Sequence, residues 1–313
     1  MFTQLSSIAP ISIAIAGLGK IARDAHLPAI AASADFSLCA TASPDGASAG
    51  VPAYPALDAL LIAHPGVAAV AVCTPPQVRR QVAMAAIAAG KHVLLEKPPA
   101  ATLAEAEALV DAARQAGVTL FAAWHSRFAA GVAPARRWLA DKAIRRVTLT
   151  WKEDIRHWHP GQDWILAPGG MGVFDPAINA LSIATAILPP FHVAKARLAV
   201  PQGRHAPLAG ELVFGGLPGP FIADLDFLQT GPQSWDITVE TGQGTLTLSL
   251  GGGRLAIDGV PQALDDAGEY PTLYAHFAGL VRAGASDVDV RPLQLVADAF
   301  MLAETHQTAA FDW

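Results

Sequence analysis

Cysteine and charge are both scarce in this chain. Two cysteines, Cys39 and Cys73, in 313 residues are too few for a disulfide framework. Both lie in apolar, strand-like runs and read as reduced core residues. No CxxC pair or Cys/His cluster marks a structural zinc site. Charged residues make up 15% of the chain and the formal net charge is -6, which leaves no basic face for a nucleic-acid backbone. Long apolar runs are missing as well. The first apolar stretch, Ile8 to Leu18, is broken by Pro10 and Gly17 and has no basic segment before it, so it reads as neither a signal peptide nor a membrane span. These absences predict a cytoplasmic protein with neither nucleic acid nor membrane as a partner.

What the chain does have is apolar residues, at 52%, enough to bury a large core. Its length favours two domains. Over residues 11–121 short apolar runs alternate with Ala-rich helical stretches. Ile11 to Ala16, Ser37 to Ala42, Val67 to Cys73, His92 to Leu95 and Val118 to Phe121 read as strands. Gln77 to Ala89 and Leu103 to Ala116 read as helices, each followed by a glycine stop at Gly90 or Gly117. Such alternation predicts a doubly wound parallel sheet.

Beyond about residue 125 the texture changes. Arg145 to Lys152, His192 to Val200, Glu211 to Phe214, Phe221 to Leu228, Trp235 to Thr241, Gly244 to Leu250 and Arg254 to Asp258 read as strands. Helices are expected over Pro271 to Ala283 and Arg291 to Thr305. Phe221, Ala223, Leu225 and Phe227 alternate with Asp224 and Asp226, which predicts one buried and one wet face. Consecutive strands point to a mostly antiparallel open sheet with helices, an α+β domain. The division expected is a dinucleotide-binding domain over residues 1–125 and a substrate-binding and dimerisation domain over 126–313.

Directly after the first strand comes Gly17-Leu18-Gly19-Lys20-Ile21-Ala22, a dinucleotide fingerprint with alanine in the third small position. Gly17 permits the tight turn, Gly19 lets the backbone approach a pyrophosphate, and Ala22 allows close helix–strand packing. Any packed strand–turn–helix can need two glycines, so position adds weight: the loop opens the first βαβ unit. The second strand ends Thr41-Ala42-Ser43-Pro44-Asp45, without an acid at its tip to read the adenosine ribose. Asp45 could accept from ribose hydroxyls or be a solvated turn residue. No arginine stands in this turn to pair a 2′-phosphate, which favours NAD over NADP.

Val93-Leu94-Leu95-Glu96-Lys97-Pro98-Pro99 reads as a buried strand ending in an acid, a base and two prolines. Crevices open at strand ends in such sheets, and one of the prolines could follow a cis bond that aims the lysine. A surface Glu-Lys pair in a turn is the plain alternative.

Together, Gly17-Leu18-Gly19, Cys73-Thr74-Pro75-Pro76, Glu96-Lys97-Pro98-Pro99 and Gly169-Gly170-Met171-Gly172-Val173-Phe174-Asp175 resemble the Gfo/Idh/MocA oxidoreductase family, whose first domain is a Rossmann fold. Within it the chain is most similar to the bacterial aldose 1-dehydrogenases that act on D-galactose and L-arabinose. That narrower likeness rests on Gly19 to Asp24, Trp124-His125-Ser126-Arg127, Trp151-Lys152-Glu153-Asp154, Arg156 to Gln162 and Asp175-Pro176-Ala177-Ile178-Asn179. Two departures stand out. Many members carry histidine four residues after the helix aspartate, whereas this chain has Asn179. Relatives that use NADP resemble Ser-Arg at the end of the second strand, and here Pro44 follows Ser43.

The resemblance implies cofactor contacts from Gly17, Gly19, Lys20, Ile21, Ser43, Thr74, Pro75 and Glu96, the last at the nicotinamide ribose. It implies oxidation of a cyclic sugar at C1 to the aldonolactone, with a hydride acceptor against C1 and a base at its hydroxyl. Lys97 and Asp175 are the expected acid/base pair. Asn179, one turn after Asp175, is expected to position the hydroxyl. Taken alone, Asp175 could equally be a helix-start residue held by the dipole. Glu153, Trp158, His159, Trp235 and His125 are the types that bind sugar hydroxyls and apolar sugar faces, although His125 could be a packed residue and His159 an ordinary loop histidine. His157 and His159 suggest zinc, but no third ligand is placed by spacing, so no metal is expected. The competing readings are oxidation at another sugar carbon, as in inositol dehydrogenase-like relatives, and a dinucleotide-sensing regulator. A homo-oligomer through the C-terminal sheet is the expected assembly.

Overall fold

The computed structural model describes residues 9–46 and 49–313. Residues 1–8 of the expected first domain, Ile8 of the opening apolar stretch among them, lie outside the described residues, as do Ala47 and Ser48. The chain divides into two compact units. One comprises the residues up to Ala123 together with Tyr270–Asp289, and the other Trp124–Glu269 with Val290–Trp313. The excursion of residues 270–289 into the first unit differs from the expected single crossing near residue 125. Its aromatic residues Tyr274 and Phe277 are fully buried there against Phe36, contacts that lie far apart in sequence.

In the first unit the chain runs β1 (Ile11–Ala16), a π-helical turn (Ala22–His26), α1 (Leu27–Ala32), β2 (Phe36–Ala42), β3 (Ala53–Tyr54), α2 (Leu57–Ala63), β4 (Ala69–Val72), α3 (Pro76–Ala88), β5 (His92–Glu96), α4 (Leu103–Ala116) and β6 (Leu120–Ala123). The strands form a six-stranded sheet in the order β3-β2-β1-β4-β5-β6, and every pair is parallel. This is the doubly wound dinucleotide-binding order, which reverses between β1 and β4 and opens a crevice at their carboxyl ends. The central strands are buried on both faces: Ile13, Val70, Val93, Leu94 and Leu95 have no exposed surface, each side chain contributing about 2 kcal/mol of apolar burial. Helix α4 shows the local rules plainly. Thr102 accepts from the Glu105 amide at 3.2 Å, Glu105 accepts in return from the Ala101 amide at 3.2 Å, and left-handed Gly117 ends the helix. The two-residue β3 and the short α2 had no signature strong enough to predict.

In the second unit the chain runs α5 (Val132–Leu139), β7 (Ile144–Lys152), α6 (Ile155–Trp158), α7 (Phe174–Ile187), β8 (His192–Pro201), β9 (Ala209–Gly215), β10 (Phe221–Asp226), β11 (Ser234–Thr241), β12 (Gly244–Ser249), β13 (Arg254–Ile257) and β14 (Val260–Pro261). After α8 (Glu269–Ala283), most of which belongs to the first unit, come α9 (Arg291–Leu302) and β15 (Ala303–Thr308). The nine strands order as β14-β13-β12-β11-β7-β10-β9-β8-β15. Pairing is antiparallel except for β10 with β7 and β15 with β8, so the sheet is mostly antiparallel. On β10 the buried Phe221, Ala223 and Leu225 alternate with exposed Ile222 and Asp224, as the sequence pattern requires. One expectation fails: the helix predicted over Arg291 to Thr305 stops at Leu302, and residues 303–308 form β15 instead. Beyond Ala303 these residues are exposed on every side. With no apolar stripe to keep a helix packed, their backbone pairs with β8.

Helix α7 is buried almost all round, as an apolar central helix must be. Arg127 holds its later turns, donating from Nε to the Ser182 carbonyl and from Nη2 to Thr185 Oγ1, both at 2.9 Å. Among the described residues no helix is long and apolar enough to cross a membrane.

Candidate active site

The nucleotide loop lies at the sheet's reversal point. The Gly17 amide donates to the Ala42 carbonyl at 2.8 Å and the Cys73 amide to the Ala16 carbonyl at 2.7 Å, so the ends of β1, β2 and β4 meet there. Gly17 has φ +91°, and a Cβ on it would fall 2.8 Å from the Thr74 backbone nitrogen. Only glycine satisfies both demands. Gly19 has open space around it, and Lys20 and Ile21 are exposed beside it, Lys20 paired with Asp24. Ser43 is buried and its amide donates to the Tyr54 carbonyl at 2.9 Å, while Pro44 and Asp45 are exposed in the following turn. The buried Thr74 Oγ1 has no hydrogen-bond partner among the described residues. Pro75 is exposed immediately before α3. A cramped glycine, an open glycine and an orphaned hydroxyl around one strand end fit a dinucleotide pyrophosphate.

At the end of β5 the geometry is tighter. Glu96 is 2% exposed. Its Oε1 accepts from Tyr270 OH at 2.6 Å and lies 3.0 Å from His26 Nε2, and its Oε2 accepts from the Lys97 amide at 2.8 Å. His26 Nδ1 is in turn 2.7 Å from Tyr274 OH. Arg79, also buried, donates to the Glu96 carbonyl at 2.6 Å and to the carbonyls of Pro98 and Thr74. The Lys97–Pro98 peptide bond is cis, and Lys97 itself is half-buried.

Burial alone lowers the imidazole pKa of His26. The surrounding Cys73, Tyr274 and Glu96 outweigh it and hold the group well above the usual histidine range. Burial pushes the Tyr274 hydroxyl up to about 12. Sequence reasoning found Glu96 but missed His26, Arg79, Tyr270 and Tyr274. His26 stands four residues after Ala22 and Arg79 three after Pro76, spacings that place them near the two strand ends. The tyrosines lie some 180 residues away and carry no such signal.

The second unit presents a different set of side chains. Asp175 lies in the first turn of α7 and is 5% exposed. The preceding glycines explain how the chain enters that helix: Gly172 has φ +54°, and a Cβ there would fall 2.1 Å from the Pro207 carbonyl oxygen. His159, at the end of α6, brings Nε2 to 3.6 Å from Asp175 Oδ2, its ring edge-on to Phe227 with centroids 5.6 Å apart. Buried Glu153, just past β7, accepts from Trp235 Nε1 at 2.8 Å. Trp158 packs against Trp235 at 5.3 Å, and its Nε1 donates to Gln233 at 3.0 Å. Trp151 completes the cluster, 6.1 Å from Trp235.

Asn179 is half-buried one turn beyond Asp175. His125 Nδ1 is 2.6 Å from Glu269 Oε2. The loop carrying His159 is anchored at Asp163. Trp313 Nε1 donates to it at 2.7 Å and Arg204 at 3.0 Å, and these two bonds hold its carboxyl below the usual range. His157 is exposed. Among the described residues no group of three or more His, Cys, Asp or Glu side chains is arranged to hold a metal.

Residues 11–124 match the family described as "Oxidoreductase family, NAD-binding Rossmann fold". Over 307 residues the chain is 44% identical to galactose 1-dehydrogenase of Pseudomonas fluorescens, covering 96% of this chain and 99% of that protein. The chain belongs to the Gfo/Idh/MocA oxidoreductase family. The Gfo/Idh/MocA fold also superposes on the crystal structure of a D-galactose-1-dehydrogenase protein from Rhizobium etli. The TM-score is 0.93 at 51% identity, over 98% of this chain and 99% of that one. A 3-ketoreductase from Actinomadura kijaniata, solved with TDP-benzene and NADP, gives a TM-score of 0.80 at 19% identity over 96% and 99% of the two chains. It shows the common fold alone. As a member of this family the chain is an oxidoreductase with a nicotinamide-dinucleotide-binding Rossmann domain.

Proposed function

We propose that this oxidoreductase is an aldose 1-dehydrogenase, oxidising the C1 hydroxyl of cyclic D-galactose, and of L-arabinose, to the aldonolactone. The observation that carries the reading is the near-full-length similarity to two galactose 1-dehydrogenases, reinforced by the sugar-binding chemistry of the second unit. Indole rings stack on apolar sugar faces while carboxylates accept from hydroxyls. Trp158 and Trp235 supply the first, and Glu153, fixed by its bond from Trp235, the second. His159 and His125 are further candidates for hydroxyl contacts. Galactose and L-arabinose share ring hydroxyl configuration and differ by a hydroxymethyl group, a change of modest cost unless that group is hydrogen-bonded.

The nicotinamide ring, when bound, accepts hydride from C1. The residues assigned to hold the dinucleotide are Gly17, Gly19, Lys20, Ile21, Ser43, Thr74, Pro75 and Glu96, the last at the nicotinamide ribose. Lys97 and Asp175 are assigned as the acid/base pair that receives the C1 hydroxyl proton, and Asn179 as the group orienting that hydroxyl. NAD is the favoured dinucleotide, because Ser43-Pro44-Asp45 offers no arginine to a 2′-phosphate. The dinucleotide is assigned to the first unit, which includes residues 270–289, and sugar binding and self-association to the second. The exposed, paired Val213 and Ile222 support the latter.

The experiment is a panel of aldoses and inositols assayed with NAD⁺ and with NADP⁺, following cofactor reduction. Galactose and arabinose should lead the panel, with NAD⁺ giving the higher kcat/KM. Turnover of inositol alone would move the reaction to another carbon, and no turnover at all would favour a regulator.

A further inference from the structure

Resting on the reading just proposed, we infer that His159 is the proton exit of the reaction, passing the proton from buried Asp175 to solvent. Aldose oxidation breaks the C1–H bond and the O–H bond. The C–H pair leaves as hydride to the nicotinamide, the O–H pair becomes the second C–O bond of the lactone, and one proton remains on the protein. Every turnover must therefore discharge a proton from the acid/base pair to water. The Asp175 side chain is only 7% exposed, so its route outward runs through a neighbour.

His159 is built for that. Its Nε2 is 3.6 Å from Asp175 Oδ2, one small ring movement or one bridging water from a hydrogen bond. Its side chain is 21% exposed, three times as open as the carboxylate. Its other nitrogen, Nδ1, faces Gln162 Oε1 at 3.5 Å. The backbone holds the ring in place: the His159 amide donates to the Ile155 carbonyl at 2.8 Å, and the loop is pinned at Asp163 by Arg204 and Trp313. Imidazole takes a proton on one nitrogen while releasing it from the other, and it titrates nearest neutrality of all side chains. The sequence supplies the motive. Asn179, one turn after Asp175, is a carboxamide that cannot carry the proton, and the structure brings an imidazole to the carboxylate from just past α6.

The test is steady-state kinetics of the full chain and of His159→Gln and His159→Asn with D-galactose, across imidazole concentrations at fixed pH. Thermal melts establish that both variants fold. Both should lose about tenfold to a hundredfold in kcat with KM changed less than about threefold. Added imidazole should restore kcat in proportion to its concentration while leaving the wild-type rate unchanged. A raised KM with kcat intact, or a lost kcat that imidazole does not restore, overturns the relay and leaves His159 a sugar contact. If either variant fails to fold, the other decides. If both fail, a wild-type kcat that rises with imidazole overturns the relay, and one limited by a solvent-isotope-sensitive step at saturating sugar supports it. Absence of wild-type turnover with every aldose overturns the aldose reading itself, a result distinct from any of these.

Discussion

The end of β5 in the first unit and the start of α7 in the second are built on opposite principles. Around Glu96 each carboxylate oxygen is engaged, and Arg79 gathers three backbone carbonyls. Charges taken from water survive only when partnered in this way, and the result is a rigid strand end. In the second unit His159 stands 3.6 Å from Asp175, and indoles cluster beside Glu153. Aromatic faces beside a few placed polar groups are the surroundings that a polar ring ligand needs. The difference teaches that position in the fold, rather than residue type, decides what surrounds a carboxylate.

Substitutions can break that contrast, and the largest effect belongs to the assigned chemistry. Lys97→Ala and Asp175→Ala should each lower kcat by about 10³-fold or more in a cofactor-reduction assay, with melting temperatures little changed. Near wild-type rates in both would end the acid/base assignment. Next comes Arg79→Ala, which strands buried carbonyls and should cost about 3 kcal/mol in urea unfolding. A loss under about 1 kcal/mol would mean that water replaces the guanidinium.

His26→Gln should cost about 2 kcal/mol at neutral pH and also remove a pH dependence. The folded-state pKa of His26 is raised, so its stabilisation is complete below the ordinary value of about 6.5 and is lost as pH rises through the folded value. Wild-type stability should therefore fall with rising pH above about 6.5, and the variant should lack that slope. The smallest effect is expected at Trp235→Phe. Losing the bond to buried Glu153 should raise the galactose KM about tenfold and cost about 1 kcal/mol in urea unfolding. Lost stability without a changed KM would make this tryptophan part of the core.

Much of this was legible from sequence. The strands β1 and β2, the helix α4 and the glycine loop follow from local rules: alternation, caps and turn glycines act over a few residues. The family resemblance added Asp175, Glu153 and His159, whose spacing alone says little. Less legible were α2, β3 and β15, short elements whose residues lack a clean period, so that tertiary pairing decides them. The partners of Glu96 were hidden as well. Tyr270 and Tyr274 sit in a helix whose apolar pattern fits either unit, and only packing against His26 and Phe36 assigns them to the first.

Sequence by itself determined the doubly wound first sheet, the family and the list of side chains capable of chemistry, because backbone conformation and apolar periodicity are written in neighbouring residues. Tertiary structure alone decided which of those side chains meet. It buried Glu96 among His26, Tyr270 and Arg79, and it set His159 against Asp175. Hydrogen bonding and desolvation depend on which distant residues share a space, and that information exists only once the chain has folded.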